Sequence, residues 1–271
     1  MSGLPADLAL DAVQRNLATH VIGQVILRYA SVGSTNDLAK ERARAGAEEG
    51  LVILAEEQTA GRGRAGRAWV APPGSSLLMS VLLRPPSDIA PTMLAGVALC
   101  EAVEQVALVR ASLKWPNDLL LPVGAGEPPA LRKAAGILCE LHTQAGQDPW
   151  VVIGIGVNVN WTPEGNIDGR DLSQYATSVA AAAGHPVDRA ELLRALLQRL
   201  DARYLALRHG QRDELFAAWR ARLATLGERV EVRLADGVLH GVAEDVEPSG
   251  SLRVRDDSGA LRVVTAGDVE F

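Results

Sequence analysis

Gln58-Thr59-Ala60-Gly61-Arg62-Gly63-Arg64-Ala65-Gly66-Arg67-Ala68-Trp69 sets three glycines and three arginines between two apolar runs, Leu51–Ala55 and Ser76–Leu83. Both runs read as buried strands, so the polar stretch is a loop held at each end by the core. Glycine lets a backbone turn its N–H groups inward around an anion, and arginine brings a forked, permanently charged donor. Gly61-x-Gly63-x-x-Gly66 also fits a dinucleotide fingerprint, but that motif must open a helix directly after its glycines. Trp69 is followed by Pro72, Pro73 and Gly74, so no helix opens there and a Rossmann unit is excluded. An RG-rich solvated loop touching nucleic acid is the plain alternative. The brevity of the stretch and its place between core strands favour an anion loop.

Working outward, the whole chain has 271 residues, enough for one large domain and a small one. Its formal charge of −6 argues against a dedicated nucleic-acid binder. The only cysteines, Cys100 and Cys139, stand in apolar runs and read as buried free thiols of a reducing compartment. No signal-like start and no run of membrane-spanning length is present, so a cytoplasmic protein is expected, without a membrane partner.

Before the loop, Asp7 to Leu17 reads as a short helix and Val25–Val32 as a strand. Ser34-Thr35-Asn36-Asp37 then opens a helix to about Ala47, stopped by Gly50, and Ser34 with Asp37 fits a capping pattern. After the loop, Pro91 to Val109 reads as a helix. Lys114-Trp115-Pro116-Asn117-Asp118 follows between two apolar pieces, and Pro116 makes it a turn between strands. A plain turn and a functional one are both open there. Gly124 to Pro129 is a polar loop leading into a strand from Arg132 to Leu141, entered through Lys133, which alone would pass for a solvated residue. Trp150 to Asn160 is a buried strand whose Gly154 and Gly156 permit close approach of either a neighbouring strand or a ligand.

From Asp188 to His209 the residues Leu192, Leu193, Leu196, Leu197, Leu200 and Tyr204 recur at helical spacing, and Arg212 to Leu223 forms another helix. At Gly227 the period changes. Val230–Leu234, Val238–Val246, Leu252–Arg255 and Leu261–Val264 alternate as strands across Asp236-Gly237, Pro248-Ser-Gly250 and Asp257-Ser-Gly259 turns. The expected division is residues 1–226 as the main domain and 227–271 as a small β-barrel.

In this order the motifs Gly33-Ser-Thr-Asn36, Glu57-Gln-Thr-Ala-Gly-Arg-Gly-Arg64, Lys114-Trp-Pro-Asn-Asp118, Arg132-Lys133 through Gly136-Ile-Leu138, and Gly154-Ile-Gly-Val-Asn158 resemble those of the biotin protein ligases. The resemblance implies an α+β fold: a mixed β-sheet packed with helices, of the class II synthetase-like biotin/lipoate ligase type, plus a C-terminal SH3-like barrel. It implies ATP and biotin as substrates with Mg²⁺, formation of biotinyl-AMP, and transfer of biotin to a lysine of a biotin carboxyl carrier protein. It leaves homodimer formation open. Both nucleophiles come from substrates, in keeping with a sequence that offers no Ser-His-Asp or Cys-His constellation.

Carried onto this chain, the resemblance gives biotin Ser34, Thr35, Asn36, Gln58, Gly61, Arg62, Trp69, Lys133, Gly136 and Gly156. It gives ATP Arg62, Arg64, Arg67, Trp69, Lys114, Asn117, Asp118, Lys133 and Asn158, with Asp118 also a Mg²⁺ ligand. Lys133, Arg64 and Arg67 are the implied catalytic residues, and the loop is expected to close over the intermediate. Ala65 stands where some members carry a further arginine. The stretch before the first strand is shorter than the DNA-binding domain of repressor-type relatives, so a ligase without that function is expected. The rivals are a lipoate or octanoate enzyme of the same fold and, more remotely, an RNA-binding module.

Overall fold

Alternation in two neighbouring strands decides which face of the sheet holds helices and which holds the loop. The computed structural model describes residues 8–85, 90–124, 126, 128–143, 148–167, 170–234 and 237–271. Its first strands are β1 (Ile26–Tyr29), β2 (Val52–Ala55), β3 (Ser76–Leu83), β4 (Ser112–Lys114), β5 (Asp118–Val123), β6 (Ala130–His142) and β7 (Trp150–Asn158). They form one seven-stranded sheet in the order β1-β2-β3-β7-β6-β5-β4. The β1–β2 pair is parallel and the other pairs are antiparallel, which makes the sheet mixed.

Leu77, Met79, Val81 and Leu83 of β3 share the larger core with Val151, Ile153, Ile155 and Val157 of β7. Helices α1 (Leu10–Gln14), α3 (Pro91–Ala107) and α5 (Arg189–Arg208) supply the rest of that layer, with α4 (Val179–Ala183) and α6 (Arg212–Arg220) beside them. The leucine stripe of α5 and Tyr204 are fully buried, as the spacing predicts. The alternate residues face α2 (Thr35–Arg44): Leu82 and Val152 pack with Ala39 and Ala43 in a second, smaller cluster. Ser80, Gly154 and Gly156 fall on that face in register, because Ser80 pairs with Gly154 and Leu78 with Gly156. A period of two thus gives one face bulk and the other room.

A two-stranded piece, β8 (Asn166–Ile167) with β9 (Arg170–Asp171), precedes a second sheet of β10 (Arg229–Leu234), β11 (Gly237–Val246), β12 (Leu252–Asp256), β13 (Leu261–Val264) and β14 (Asp268–Glu270). Its order is β13-β12-β11-β10-β14, antiparallel throughout, with the SH3-like character expected of the terminal unit. Its inward valines, Val230, Val232 and Val254, belong to the same buried cluster as the main sheet. The Trp115 indole N–H donates to Gly250 O at 2.8 Å across the junction.

Several expected boundaries shift for local reasons. Helix α2 ends at Arg44 because Gly46, at φ +88°, turns the chain, and Gly50 lies beyond. Ser34 occupies the cap position with extended backbone, yet its side chain makes no capping bond, and the N–H of the first helical residue, Thr35, goes to Gln58 Oε1 at 2.8 Å. Helix α6 stops at Arg220 because the chain then runs alongside β4, Leu113 N–H donating to Arg222 O and Ala224 N–H to Leu113 O. Cys100 is buried, but Cys139 is only half-buried. Asp7, Ala125, Glu127 and Asp236, named in the expected helix, loop and hairpin turn, lie outside the described residues.

Candidate active site

On the α2 face a cavity of about 650 Å³ opens between the main sheet, the glycine–arginine loop and the end of the second sheet. A volume of this size is in the range of small-molecule sites. Its floor is bare backbone. Gly136 and Gly156 pair across β6 and β7, and both lie under the Trp69 ring. A Cβ at Gly156 would sit 2.6 Å from Trp69 Cε2, and one at Gly154 would sit 2.2 Å from Asn36 Oδ1. Neither contact is physically available to an alanine without movement, so these glycines serve close approach.

At one end Thr35, Asn36 and Gln58 line the wall with Ser34. Gln58 Oε1 accepts from the Thr35 hydroxyl at 3.0 Å as well as from its N–H. Asn36 is 4 % exposed and its amide donates to Leu138 O at 3.2 Å and Glu140 Oε2 at 2.8 Å. Its hydrogen-bonding capacity is therefore largely committed to the protein. Gly61 is buried and does not line the cavity: its carbonyl accepts from the Trp69 N–H at 2.9 Å, which closes the loop on itself.

The loop is a small hairpin with a 3-10 turn over Arg64–Gly66, and Ala65 sits at φ 55° in the left-handed region. Each arginine has an acceptor within the protein. Arg62 pairs with Asp37 at 2.6 Å, Arg67 with Asp268 at 2.8 Å, and Arg64 donates to Asn117 Oδ1 at 3.3 Å and Gly267 O at 3.4 Å. The Arg62 guanidinium holds the Asp37 carboxyl below its ordinary 3.8, with Lys40 adding to the effect against partial burial. Mutual repulsion within the loop is offset by these partners.

The opposite wall comes from the β4–β5 turn and the start of β6. The turn contains a cis Trp115–Pro116 bond. Lys133 Nζ lies 2.7 Å from Asp118 Oδ1 and 5.7 Å from the Trp69 ring centre, and Lys114 Nζ lies 5.3 Å from the Phe271 ring. Asn117 is fixed by its amide bond to Ile137 O at 2.9 Å, which leaves its oxygen to meet Arg64. Asn158 donates to Thr177 O at 3.0 Å, while its Oδ1 and the Trp69 indole N–H are buried with no partner among the described residues.

Two contributions to the cavity leave no signal in the sequence. Asp268 and Phe271 enter the cavity from β14 and the residue after it, and Leu172, Gln174 and Tyr175 enter from the segment before α4. Among the described lining residues five are cationic (Arg62, Arg64, Arg67, Lys114, Lys133) and two are acidic (Asp118, Asp268). A basic cavity in a chain of charge −6 selects anions. No cluster of three or more His, Cys, Asp or Glu side chains suited to a metal occurs among the described residues, and no described helix is long and apolar enough to cross a membrane.

Residues 29–158 match the Biotin/lipoate A/B protein ligase family, and residues 225–271 match the Biotin protein ligase C terminal domain. The chain is 37 % identical to the biotin–[acetyl-CoA-carboxylase] ligase of Mycobacterium tuberculosis, over 89 % of this chain and 86 % of that protein. It is 32 % identical to the bifunctional ligase/repressor BirA of Bacillus subtilis, over 98 % of this chain and 80 % of that protein. Among solved structures, the biotin protein ligase of Aquifex aeolicus in complex with biotin and ATP superposes with a TM-score of 0.73 at 27 % identity, covering 91 % of this chain and 98 % of that one. With its motifs in order, its sheet topology and relatives of this similarity along most of its length, the chain belongs to the biotin protein ligase family.

Proposed function

We propose that the chain is an ATP-dependent biotin protein ligase and that the basic cavity is the site of both its half-reactions. In the first, a biotin carboxylate oxygen attacks the α-phosphorus of ATP. The bond to the β-phosphate oxygen breaks, and pyrophosphate leaves from a mixed anhydride, biotinyl-AMP. In the second, the amine of a carrier-protein lysine attacks the anhydride carbonyl, AMP departs, and the amine loses its proton as the amide forms. The observation that carries this reading is the excess of fixed positive charge around a floor of bare backbone. Bringing two anions together and stabilising charge on phosphate is what such a site does best.

The residue roles follow from that chemistry. Thr35 and Gln58 offer a hydroxyl and an amide at the end suited to the ureido ring, which carries one carbonyl acceptor and two N–H donors. Lys133 leaves Asp118 to meet the biotin carboxylate and the α-phosphate, and Arg64 and Arg67 exchange their protein acceptors for phosphate oxygens. Trp69 covers the apolar chain of biotin. Asp118 is a single carboxylate, and Mg²⁺ characteristically binds through one or two carboxylates together with substrate phosphates. The ion would neutralise phosphate charge there.

We also place the domain boundary near Gly227, where helical spacing gives way to alternation, and the reaction in the cytoplasm, where ATP is available and free thiols persist. The acceptor is a biotin carboxyl carrier protein. ATP–pyrophosphate exchange tests the reading. Exchange that requires biotin supports it, and exchange driven by lipoate or octanoate but not by biotin overturns it.

A further inference from the structure

Four side chains that line the cavity are joined by four that do not. Gln58 accepts from Thr35, and the Ser80 hydroxyl shares its proton between Thr35 Oγ1 at 2.8 Å and Asn36 Oδ1 at 2.6 Å. Asn36 donates to Glu140, and Glu140 pairs with Lys40 at 2.7 Å. Lys40 pairs with Asp37 at 2.9 Å, and Asp37 with Arg62. Gln58 and Arg62 are four residues apart in one loop, so the chain itself closes the circuit. Ser80, Glu140, Lys40 and Asp37 stand outside the cavity wall, whereas Thr35, Asn36, Gln58 and Arg62 are part of it.

We infer that Lys40 and Glu140 are positioning residues for the acid-binding end of the cavity, acting on biotin only through Asn36 on one side and Asp37–Arg62 on the other. The inference rests on the proposed ligase reading and goes beyond it, because neither residue lines the cavity. One ammonium satisfies two carboxylates here, and its side chain is 18 % exposed. Removing it leaves two like charges on one side of the circuit. They relax toward solvent, and Asn36 and Arg62 lose the partners that fix them.

Lys40→Met keeps the length and apolar stem and deletes the charge, while Lys40→Arg keeps the charge. Direct titration of each variant with biotin, together with steady-state ATP–pyrophosphate exchange, is the test. The expected result for Lys40→Met is weaker biotin binding and a KM for biotin raised by about tenfold, with kcat and the KM for ATP within about twofold. Lys40→Arg restores the KM. Glu140→Gln, which keeps an acceptor for Asn36 but releases Lys40, gives an intermediate rise. Unchanged biotin affinity in Lys40→Met overturns the inference and leaves the ligase reading intact. So does a parallel rise in both KM values with a lowered Tm that Lys40→Arg fails to rescue, since that marks a structural role. Wild-type protein that binds no biotin overturns both.

Discussion

Lys133 is held by its backbone independently of its side chain: its N–H donates to Tyr175 O and its carbonyl accepts from Thr177 N–H, each at 2.8 Å. Only the ammonium reaches Asp118, from a side chain that is one-third exposed, so the pair adds at most about 1 kcal/mol to stability. Lys133→Ala is therefore expected to fold with a nearly unchanged Tm and to lose about 3 kcal/mol of transition-state stabilisation, roughly a hundredfold in kcat. Pyrophosphate exchange measures this, and a near-normal rate removes Lys133 from the site. The two thiols lead to a pH prediction. Burial pushes Cys139 up to about 12 and raises Cys100 further above the ordinary 9.0. A raised folded-state pKa means that the folded form keeps its proton longer. The stability these thiols contribute is full below pH 9 and is lost as pH rises from 9 toward 12. At pH 8 the buried Cys100 should not react with a disulfide reagent until the protein unfolds; its rapid labelling in native protein contradicts this. Nothing in the composition distinguished Lys133 from a solvated lysine. The motif resemblance singles it out, and the β5–β6 pairing then sets Gly136 and Asp118 beside it.

At the scale of elements, the glycine pair under Trp69 makes a sharp demand. Gly156→Ala puts a methyl group against a rigid indole, and overpacking of this kind costs about 1–3 kcal/mol if the ring stays. Because Trp69 belongs to a loop, the ring is expected to move instead, with a Tm close to wild type and kcat/KM for biotin down by about tenfold or more. An active variant with unchanged kcat/KM would show that the contact is dispensable. The long elements were legible from strong patterns: β3 lies where its unbroken apolar run puts it, and α5 where the leucine stripe does. The loop's cluster of glycines and arginines was legible from composition. Its attachments were not, because Asp37 and Asp268 lie 25 and 201 residues from their arginines. Strand β14 was missed for a related reason. Asp-Val-Glu buries only Val269, too little alternation to register, yet it carries Asp268 into the cavity.

For the whole molecule, the change of period at Gly227 located the second sheet, but a change of period says nothing about where that sheet docks. The structure seats it against the site. Gly250 O receives the Trp115 indole, Gly267 and Asp268 receive Arg64 and Arg67, and Phe271 lines the cavity. Deleting residues 227–271 is expected to lower Tm, because Trp115 is 2 % exposed and would lose part of its cover. It should also impair adenylate formation, since Arg67 loses Asp268 and Arg64 loses one of its two acceptors. A truncated chain as active as the full one would make the second sheet an appendage. In the proposed reaction one cavity forms biotinyl-AMP and delivers biotin to a carrier lysine. Its most direct test is the mass of an isolated carrier domain after incubation with the full chain, biotin and Mg-ATP. The carrier should gain the mass of one biotinyl group, a gain lost when ATP is omitted or the carrier lysine is replaced. A carrier whose mass stays unchanged, or that gains a lipoyl group in preference when both acids are supplied, contradicts it.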